Sequence, residues 1–192
     1  MAIQGYVAPL ITAQSDGTAL TNTTTATSII PPSARWTAPS GYFGLIGQKL
    51  RIRAGGRIST LTAAPGTLTL DLRLGTVATP IVVFNGGAMT LNVTAQTNAT
   101  WTFDATLTLR AVGSSTSATL LGVGAWSSRA VIGAGALAAA GVGTLLLPDT
   151  APAVGTGFDS TITNVLDFFA TWSIANAANS IQLHDFSVES IL

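Results

Sequence analysis

The chain has no cysteine and very little charge. Disulfides, thiolate catalysis and cysteine-ligated metal sites are therefore excluded. Lys, Arg, Asp and Glu make up 8% of the 192 residues, whereas about 25% is usual for a soluble domain. The formal net charge is zero, and low net charge favours association over solubility as a monomer. This composition is typical of a subunit of a larger protein assembly.

Histidine is almost absent as well, because His184 is the only one. It stands beside Asp185 and three residues before Ser187, and these residue types together suggest a hydrolytic triad. Consecutive residues of a strand point to opposite faces of the sheet, so His184 and Asp185 are predicted to diverge. We expect a structural or surface histidine here, not a catalytic one.

The eight acidic residues are spread along the chain, not clustered. Asp71 and Asp104 lie on polar faces of predicted strands. They could act as the carboxylate pair of a glycoside hydrolase only if the fold brought them close together. Asp149 and Asp159 lie in a turn-rich loop whose spacing matches no known calcium loop. The glycine-rich runs lack the phosphate-binding and dinucleotide patterns. We expect no catalytic residue, no cofactor and no metal.

Neither nucleic acid nor a membrane is expected as a partner. A DNA-binding surface needs an excess of Lys and Arg, and here eight basic residues balance eight acidic ones. The uncharged run between Arg129 and Asp149 is borderline in length for a membrane span of about 20 residues, and strand patterns flank it. Its Gly and Ala residues predict a loop at 131–143, at or near a subunit interface, followed by a buried strand at 144–147.

Alternation with a period of two dominates the chain from Lys49 onward. Apolar residues alternate with Arg or Thr in KLRIRA, TLTLDLRL and TWTFDATLTLRA, which is the pattern of strands with one buried face. Pro65-Gly66 predicts a turn that joins the first two runs into a hairpin. The register of that hairpin calls for a three- or five-residue loop, or for a bulge at Gly55-Gly56.

Eight or more such strands, without alternating helices, indicate an all-β protein. We predict a jelly-roll-like antiparallel β-sandwich, with an immunoglobulin-like sandwich as the alternative. Residues 36–192 are assigned to this domain. Residues 1–35 are Thr-rich and short of large apolar side chains, so they are predicted to form an extended arm that orders against a neighbouring subunit.

Positive charge is concentrated in one stretch, because residues 49–75 hold four of the seven arginines and the only lysine. Arginine is enriched at protein interfaces, and cross-strand pairing with an aspartate would satisfy some of these side chains. The alternative is a solvated strand face that prevents edge-to-edge aggregation. The interface candidates are Arg51, Arg53, Arg57, Asp71 and Arg73, together with the aromatic residues Trp36 and Tyr42.

Several segments of the sequence resemble those of one protein family. KLRIRAGGRIS, PGTLTLDLRLG, VVFNGGAMTLN, SATLLGVG, TLLLPDTAPAVGTGFDST and SIQLHDFSVES are similar to small structural proteins encoded among the virion genes of tailed bacteriophages. The resemblance covers roughly residues 36–192 and carries no catalytic residues. It implies a β-sandwich protein associated with the phage head or tail.

The resemblance, with the composition, leads to a first hypothesis of a capsid decoration protein. Such a protein would form a homotrimer on the virion surface, bind the major capsid protein and stabilise the head. A minor tail or baseplate protein is the second hypothesis. The third is a carbohydrate-binding module that contacts the host, for which the candidate aromatic platforms are Trp36, Trp101, Trp126 and Trp172.

Overall fold

The computed structural model describes residues 7–133, 143–148 and 150–191. Within these ranges the chain forms thirteen β-strands and one short 3-10 turn, Pro32–Ala34, and no α-helix. The strands are β1 Val7–Thr12, β2 Leu20–Thr21, β3 Thr27–Ser28, β4 Trp36–Ala38, β5 Lys49–Thr60, β6 Thr67–Gly75, β7 Pro80–Leu91, β8 Gln96–Ala111, β9 Thr119–Ser128, β10 Val131–Gly133, β11 Thr144–Leu147, β12 Asn164–Trp172 and β13 Ser180–Ile191.

The strands pair only antiparallel and form two sheets. Sheet 1 has the order β1-β13-β5-β8-β9-β11, with β2 also paired to β13. Sheet 2 has the order β10-β7-β6-β12-β3, with β4 also paired to β12. The predicted all-β sandwich is confirmed. The more specific jelly-roll topology stays a prediction.

Period-two alternation explains why each long strand has one buried face. In β5 every even-numbered residue from Leu50 to Thr60 is buried, while the odd-numbered positions are exposed or half-buried. The core between the sheets is aromatic: the ring of Phe103 on β8 lies 4.8 Å from that of Phe168 on β12. Aromatic pairs at this distance contribute about 0.5–1.5 kcal/mol beyond their burial, so this contact helps to hold the two sheets together.

The predicted hairpin between the first two long strands is wrong. β5 pairs with β13 and β8 in sheet 1, whereas β6 pairs with β12 and β7 in sheet 2. The segment 61–66 therefore crosses from one sheet to the other. A bulge does occur opposite Gly55-Gly56, but its extra residue is His184 on β13. Local alternation fixes which face of a strand is buried and does not choose its partner.

The predicted N-terminal arm is extended but packs on its own chain. β1 and β2 pair with β13, and β3 pairs with β12, so the segment contributes to both sheets. Leu20, Ile29 and Ile30 are buried in the core. The boundary proposed at residue 35 consequently does not separate two bodies, because these side chains bury apolar surface on the sandwich itself.

The small-residue run has strands at both of its ends. β10 ends at Gly133 and β11 begins at Thr144, while residues 134–142 lie outside the described ranges. The strand predicted at 144–147 is present, but it is only half-buried, since Leu146 is 74% exposed. In the part of the chain that the structure describes, no helix is long and apolar enough to cross a membrane.

Candidate interaction surfaces

The outer face of sheet 1 carries the arginines of β5. Arg51 and Arg53 point outward, and both reach Asp104 on the neighbouring strand β8. Arg51 binds that carboxylate through two parallel bonds, from Nε to Oδ1 at 3.1 Å and from Nη2 to Oδ2 at 2.5 Å. Nε of Arg53 lies 3.5 Å from Oδ2. The predicted cross-strand arginine–aspartate pairing exists, but Asp104 is the partner and not Asp71.

This ion pair changes the titration of both groups. The hydrogen bond from Arg51 holds the pKa of Asp104 below its usual value, and the nearby charge of Arg53 lowers it further. The same hydrogen bond raises the pKa of Arg51. Both partners are partly exposed, so solvent screening keeps the pair within the range of surface ion pairs.

Asp71 and Arg73 belong to the outer face of the other sheet. They bind each other within β6, with Nε of Arg73 2.5 Å from Oδ1 of Asp71. The guanidinium also lies 4.0 Å from the ring centre of Phe169 on β12. They are thus separated by the whole sandwich from the β5 arginines, and the prediction that both groups share one hairpin surface is wrong.

A second ion pair lies beside them and ties the N-terminal segment to sheet 2. Nε of Arg35 is 2.7 Å from Oδ2 of Asp167, and Ser28 donates a hydrogen bond of 2.5 Å to Oδ1 of the same carboxylate. Burial raises the pKa of Asp71, and the hydrogen bond from Arg73 partly offsets that rise. Because these carboxylates are buried, removing one basic partner would leave an uncompensated charge. This network is best explained as structural.

The aromatic candidates are mostly buried. Trp36 is 8% exposed, and its ring lies 4.7 Å from that of Tyr42 in an edge-to-face contact. Tyr42 is half-buried against the core. The other three tryptophans, Trp101, Trp126 and Trp172, are at most 1% exposed. Trp36 thus has little surface to offer a partner, and its predicted role at an interface stays a prediction. None of the four tryptophans offers an exposed platform for a sugar ring.

The single histidine lies at the bulge of β13. Its Nδ1 is 2.9 Å from Oδ2 of Asp16, in the segment before β2. His184 and Asp185 are both exposed, because the bulge breaks the alternation that would send them to opposite faces. The carboxylates of Asp71 and Asp104 lie on the outer faces of different sheets and do not form a pair. Among the described residues, no group of three or more His, Asp or Glu side chains could hold a metal ion.

One end of the sandwich is unusually apolar, a feature that strand alternation does not predict. The strands β5, β6, β8 and β13 have one of their ends there, beside the loops that precede β5, join β6 to β7 and join β8 to β9. We call this the apolar end, defined by exposed side chains of Val7, Leu45, Ile46, Val77, Val112 and Ile162.

Two of these side chains are the most prominent. Leu45 is 70% exposed and Ile46 is 68% exposed, and with Ile191 and Lys49 they line an open depression of about 400 Å³. Two backbone hydrogen bonds hold their loop against β8: the N–H of Gly47 donates to the carbonyl oxygen of Leu109, and the N–H of Leu109 donates to that of Gln48. The signal in the sequence is the pair of large apolar residues between glycines in GLIG, a place where a turn exposes its side chains.

Comparisons with known proteins give little further information. No family model matches the chain, and no curated protein matches it. Among solved structures, it is similar to the CBM2 module of the evolved Dit of Lactobacillus casei BL23 phage J-1. That similarity covers 98% of each chain at 11% sequence identity and a TM-score of 0.37. A similarity of this strength carries no argument about function.

Proposed function

We propose that this chain is a structural protein of a tailed-phage virion that attaches to another virion protein through its apolar end. The observation that carries the proposal is the exposure of Leu45 and Ile46 on an ordered loop. Soluble monomers expose single apolar residues freely, but a group of them on one surface marks a contact site. The family resemblance of the sequence phrases supports the virion as the place.

The energetics favour attachment by burial and not by charge. Burying a large aliphatic side chain completely contributes about 1.5–3 kcal/mol, so a few such anchors suffice for a stable contact when many copies act together. The chain has no net charge with which to attract a partner over a distance. Contact specificity then rests on the shape of the apolar end and on Lys49 at its border.

The finer form of the proposal is a capsid decoration protein. Copies of the sandwich, associated as homotrimers, would bridge neighbouring capsid subunits and stabilise the head by the surface that they bury. The apolar end would face the major capsid protein, and the Thr-rich outer face of sheet 1 would face the solvent.

The test is attachment of variants to virions that lack the protein. The double variant Leu45→Ser and Ile46→Ser should reduce bound copies at least tenfold, because it removes two anchors from the apolar end. The matched control is Val93→Ser with Ile174→Ser, which changes two exposed apolar residues at the opposite end of the sandwich. Full occupancy by the first variant, or equal loss by both, would contradict attachment through the apolar end.

Copy number separates the head from the tail. Quantitative mass spectrometry of purified virions should give hundreds of copies per particle for a decoration protein. A number equal to the symmetry of the tail would instead favour the minor tail or baseplate hypothesis, which uses the same apolar contact.

The carbohydrate-binding hypothesis receives no support from the tryptophans, since all four are buried. A glycan-array screen tests it directly. Saturable binding of a neutral sugar would favour that hypothesis over the structural one.

A further inference from the structure

The outer face of sheet 1 carries two arginines that have no acidic partner among the described residues. Arg57 lies on β5, and Arg129 lies in the turn that follows β9. The ion pairs of this face involve Arg51 and Arg53, which share Asp104 nearer to the apolar end. A local excess of positive charge is therefore left at the opposite end of the sheet, in a chain that is neutral as a whole.

Strand register brings the two arginines to the two sides of Thr100. Arg57 pairs with Thr100 across β5 and β8. The pairing of Trp101 with Ser128 across β8 and β9 places Arg129 at the next position along, beside Thr100. Neighbouring strands are about 4.8 Å apart, so β5 and β9, on the two sides of β8, are about 10 Å apart. Two long side chains at that spacing can reach the same small group.

Oxygen atoms of the chain orient both guanidiniums. Nη1 of Arg57 donates to Oγ1 of Thr100 at 2.5 Å and to the carbonyl oxygen of Asn98 at 3.3 Å. Nη2 of Arg129 donates to the carbonyl oxygen of Thr97 at 3.4 Å. These bonds use only part of the five donors that each guanidinium carries. The two arginines, with Asn98 and Thr100, line an open depression of about 300 Å³.

We propose that this depression binds a tetrahedral oxyanion of the phosphate class, held between Arg57 and Arg129. The anion would accept hydrogen bonds from both guanidiniums, and Asn98 also lines the depression. Arginine suits this task because its planar fork matches phosphate oxygens in pairs.

The number of acceptor oxygens favours phosphate over a carboxylate. Asp104 shows what a carboxylate does between two arginines: Arg51 takes both of its oxygens through parallel bonds, and Arg53 is left with a longer contact of 3.5 Å to Oδ2. A phosphate group has three or four acceptor oxygens, so each of two converging guanidiniums can bind oxygens of its own.

Two sources can supply this group: free inorganic phosphate, or the phosphate of an organic ester. The depression is open to solvent, so a phosphate at the end of a larger molecule can enter it. The site lies at the end of the sandwich opposite the apolar end and does not rest on the proposed attachment. Loss of one activity therefore leaves the other measurable.

The experiment is a titration of the ¹⁵N-labelled full chain, followed by NMR amide shifts at constant ionic strength. The probes are inorganic phosphate, glycerol 3-phosphate and, as the carboxylate control, acetate. We expect saturable shifts at residues 98–100 with phosphate. Arg57→Gln and Arg129→Gln should each weaken binding at least fivefold.

The matched control is Arg110→Gln. Arg110, on β8, is another exposed arginine that has no ion pair among the described residues, and it lies at the end of β8 far from Thr100. Its substitution should change binding less than twofold.

Three results would overturn the proposal: no saturable shift with either phosphate probe, equal weakening by all three arginine variants, or acetate binding as tightly as phosphate. Equal or tighter binding of glycerol 3-phosphate supports the site and points to an ester. Binding at least tenfold weaker than that of inorganic phosphate supports the site and points to the free ion.

Discussion

Single residues on the outer face of sheet 1 show how a nearly uncharged chain uses its few charges. Asp104 accepts two parallel hydrogen bonds from Arg51 and lies within reach of Arg53, so one carboxylate serves two arginines. Arg57 lies four residues after Arg53 on β5, and its hydrogen-bond partners are neutral oxygen atoms. On this face, therefore, the arginines nearer to the apolar end share an acidic partner, whereas Arg57 has none among the described residues.

Replacing Asp104 tests the role of this shared acidic partner. The pKa of Asp104 is lowered in the folded chain, so its ionised form stabilises the fold above the ordinary value of 3.8, and this contribution is lost as the pH falls through the lowered pKa. Asp104→Asn should reduce the free energy of unfolding at pH 7 by about 0.5–1 kcal/mol, since the pair is half exposed.

Urea denaturation at a series of pH values measures this effect. The difference between the wild type and Asp104→Asn should shrink once the pH falls below about 4. Asp185→Asn, at an exposed aspartate without an ion pair among the described residues, is the control and should change stability little. A difference for Asp104→Asn that stays constant from pH 7 to pH 2 would show that the charge is not responsible.

Adjacent glycines on β5 give a second prediction at the residue scale. A Cβ added to Gly56 would lie 1.9 Å from the carbonyl oxygen of Gln182 on β13, whereas one added to Gly55 would lie 3.4 Å from its nearest neighbour. Gly56→Ala should therefore destabilise the fold by about 1–3 kcal/mol, because β13 would have to move at its bulge. Gly55→Ala should change stability by less than about 0.5 kcal/mol. Thermal denaturation measures both, and equal effects would exclude the close approach as the cause.

At the scale of elements, the N-terminal segment is part of the sandwich. β1 and β2 extend sheet 1 beside β13, and β3 adds an edge to sheet 2. Pro9 and a register shift after it interrupt the pairing of β1, which is a common way to protect an edge strand from pairing with another molecule. The segment thus closes the fold of its own chain, while the predicted contact with a neighbouring subunit stays a prediction.

A pair of substitutions tests this role of the segment. Ile29 is fully buried, and its backbone N–H donates to the carbonyl oxygen of Phe168 at 2.9 Å. Ile29→Ala should cost about 2–5 kcal/mol of unfolding free energy, because it leaves a cavity in the core. Thr24→Ala, at an exposed position of the same segment, should cost less than about 0.5 kcal/mol. If the segment were a free arm, the two substitutions would have equally small effects in chemical denaturation.

At the scale of the whole molecule, a neutral sandwich with one apolar end is suited to association. Its net charge is zero and its sequence pI is about 6.5, so little repulsion keeps copies apart near neutral pH. Large exposed side chains gather where the strands β5, β8 and β13 meet the loops of the apolar end. Contact with a partner protein would bury these side chains and remove them from water.

Sedimentation of the purified chain tests the proposed homotrimer. We expect a species of three times the 19.4 kDa chain mass at micromolar concentration. Titration to lower concentration should dissociate it without loss of β-sheet circular dichroism. A chain that remains monomeric at millimolar concentration would contradict self-association and would restrict the proposal to contacts with other virion proteins.

Residues with a local signal were predicted well. Leu50, Ile52 and Leu68 alternate with polar neighbours, and each is buried on the face that the alternation indicates. The dipeptide Asn85-Gly86, by contrast, is of a type that usually forms a hairpin turn, yet it lies inside the twelve-residue β7. Alternation depends only on adjacent residues. A turn dipeptide, in contrast, forms a hairpin turn only if the segments before and after it pair with each other.

The sequence by itself determined the all-β class, the inward and outward faces of the strands and the poverty of charge, because each follows from composition or from a period of two. Tertiary structure alone decided that β5 and β6 belong to opposite sheets, that Arg51 pairs with Asp104, and that Arg57 and Arg129 flank Thr100. The physical reason is that strand partners are chosen by contacts between residues far apart in the chain, and no local pattern of side chains encodes that choice.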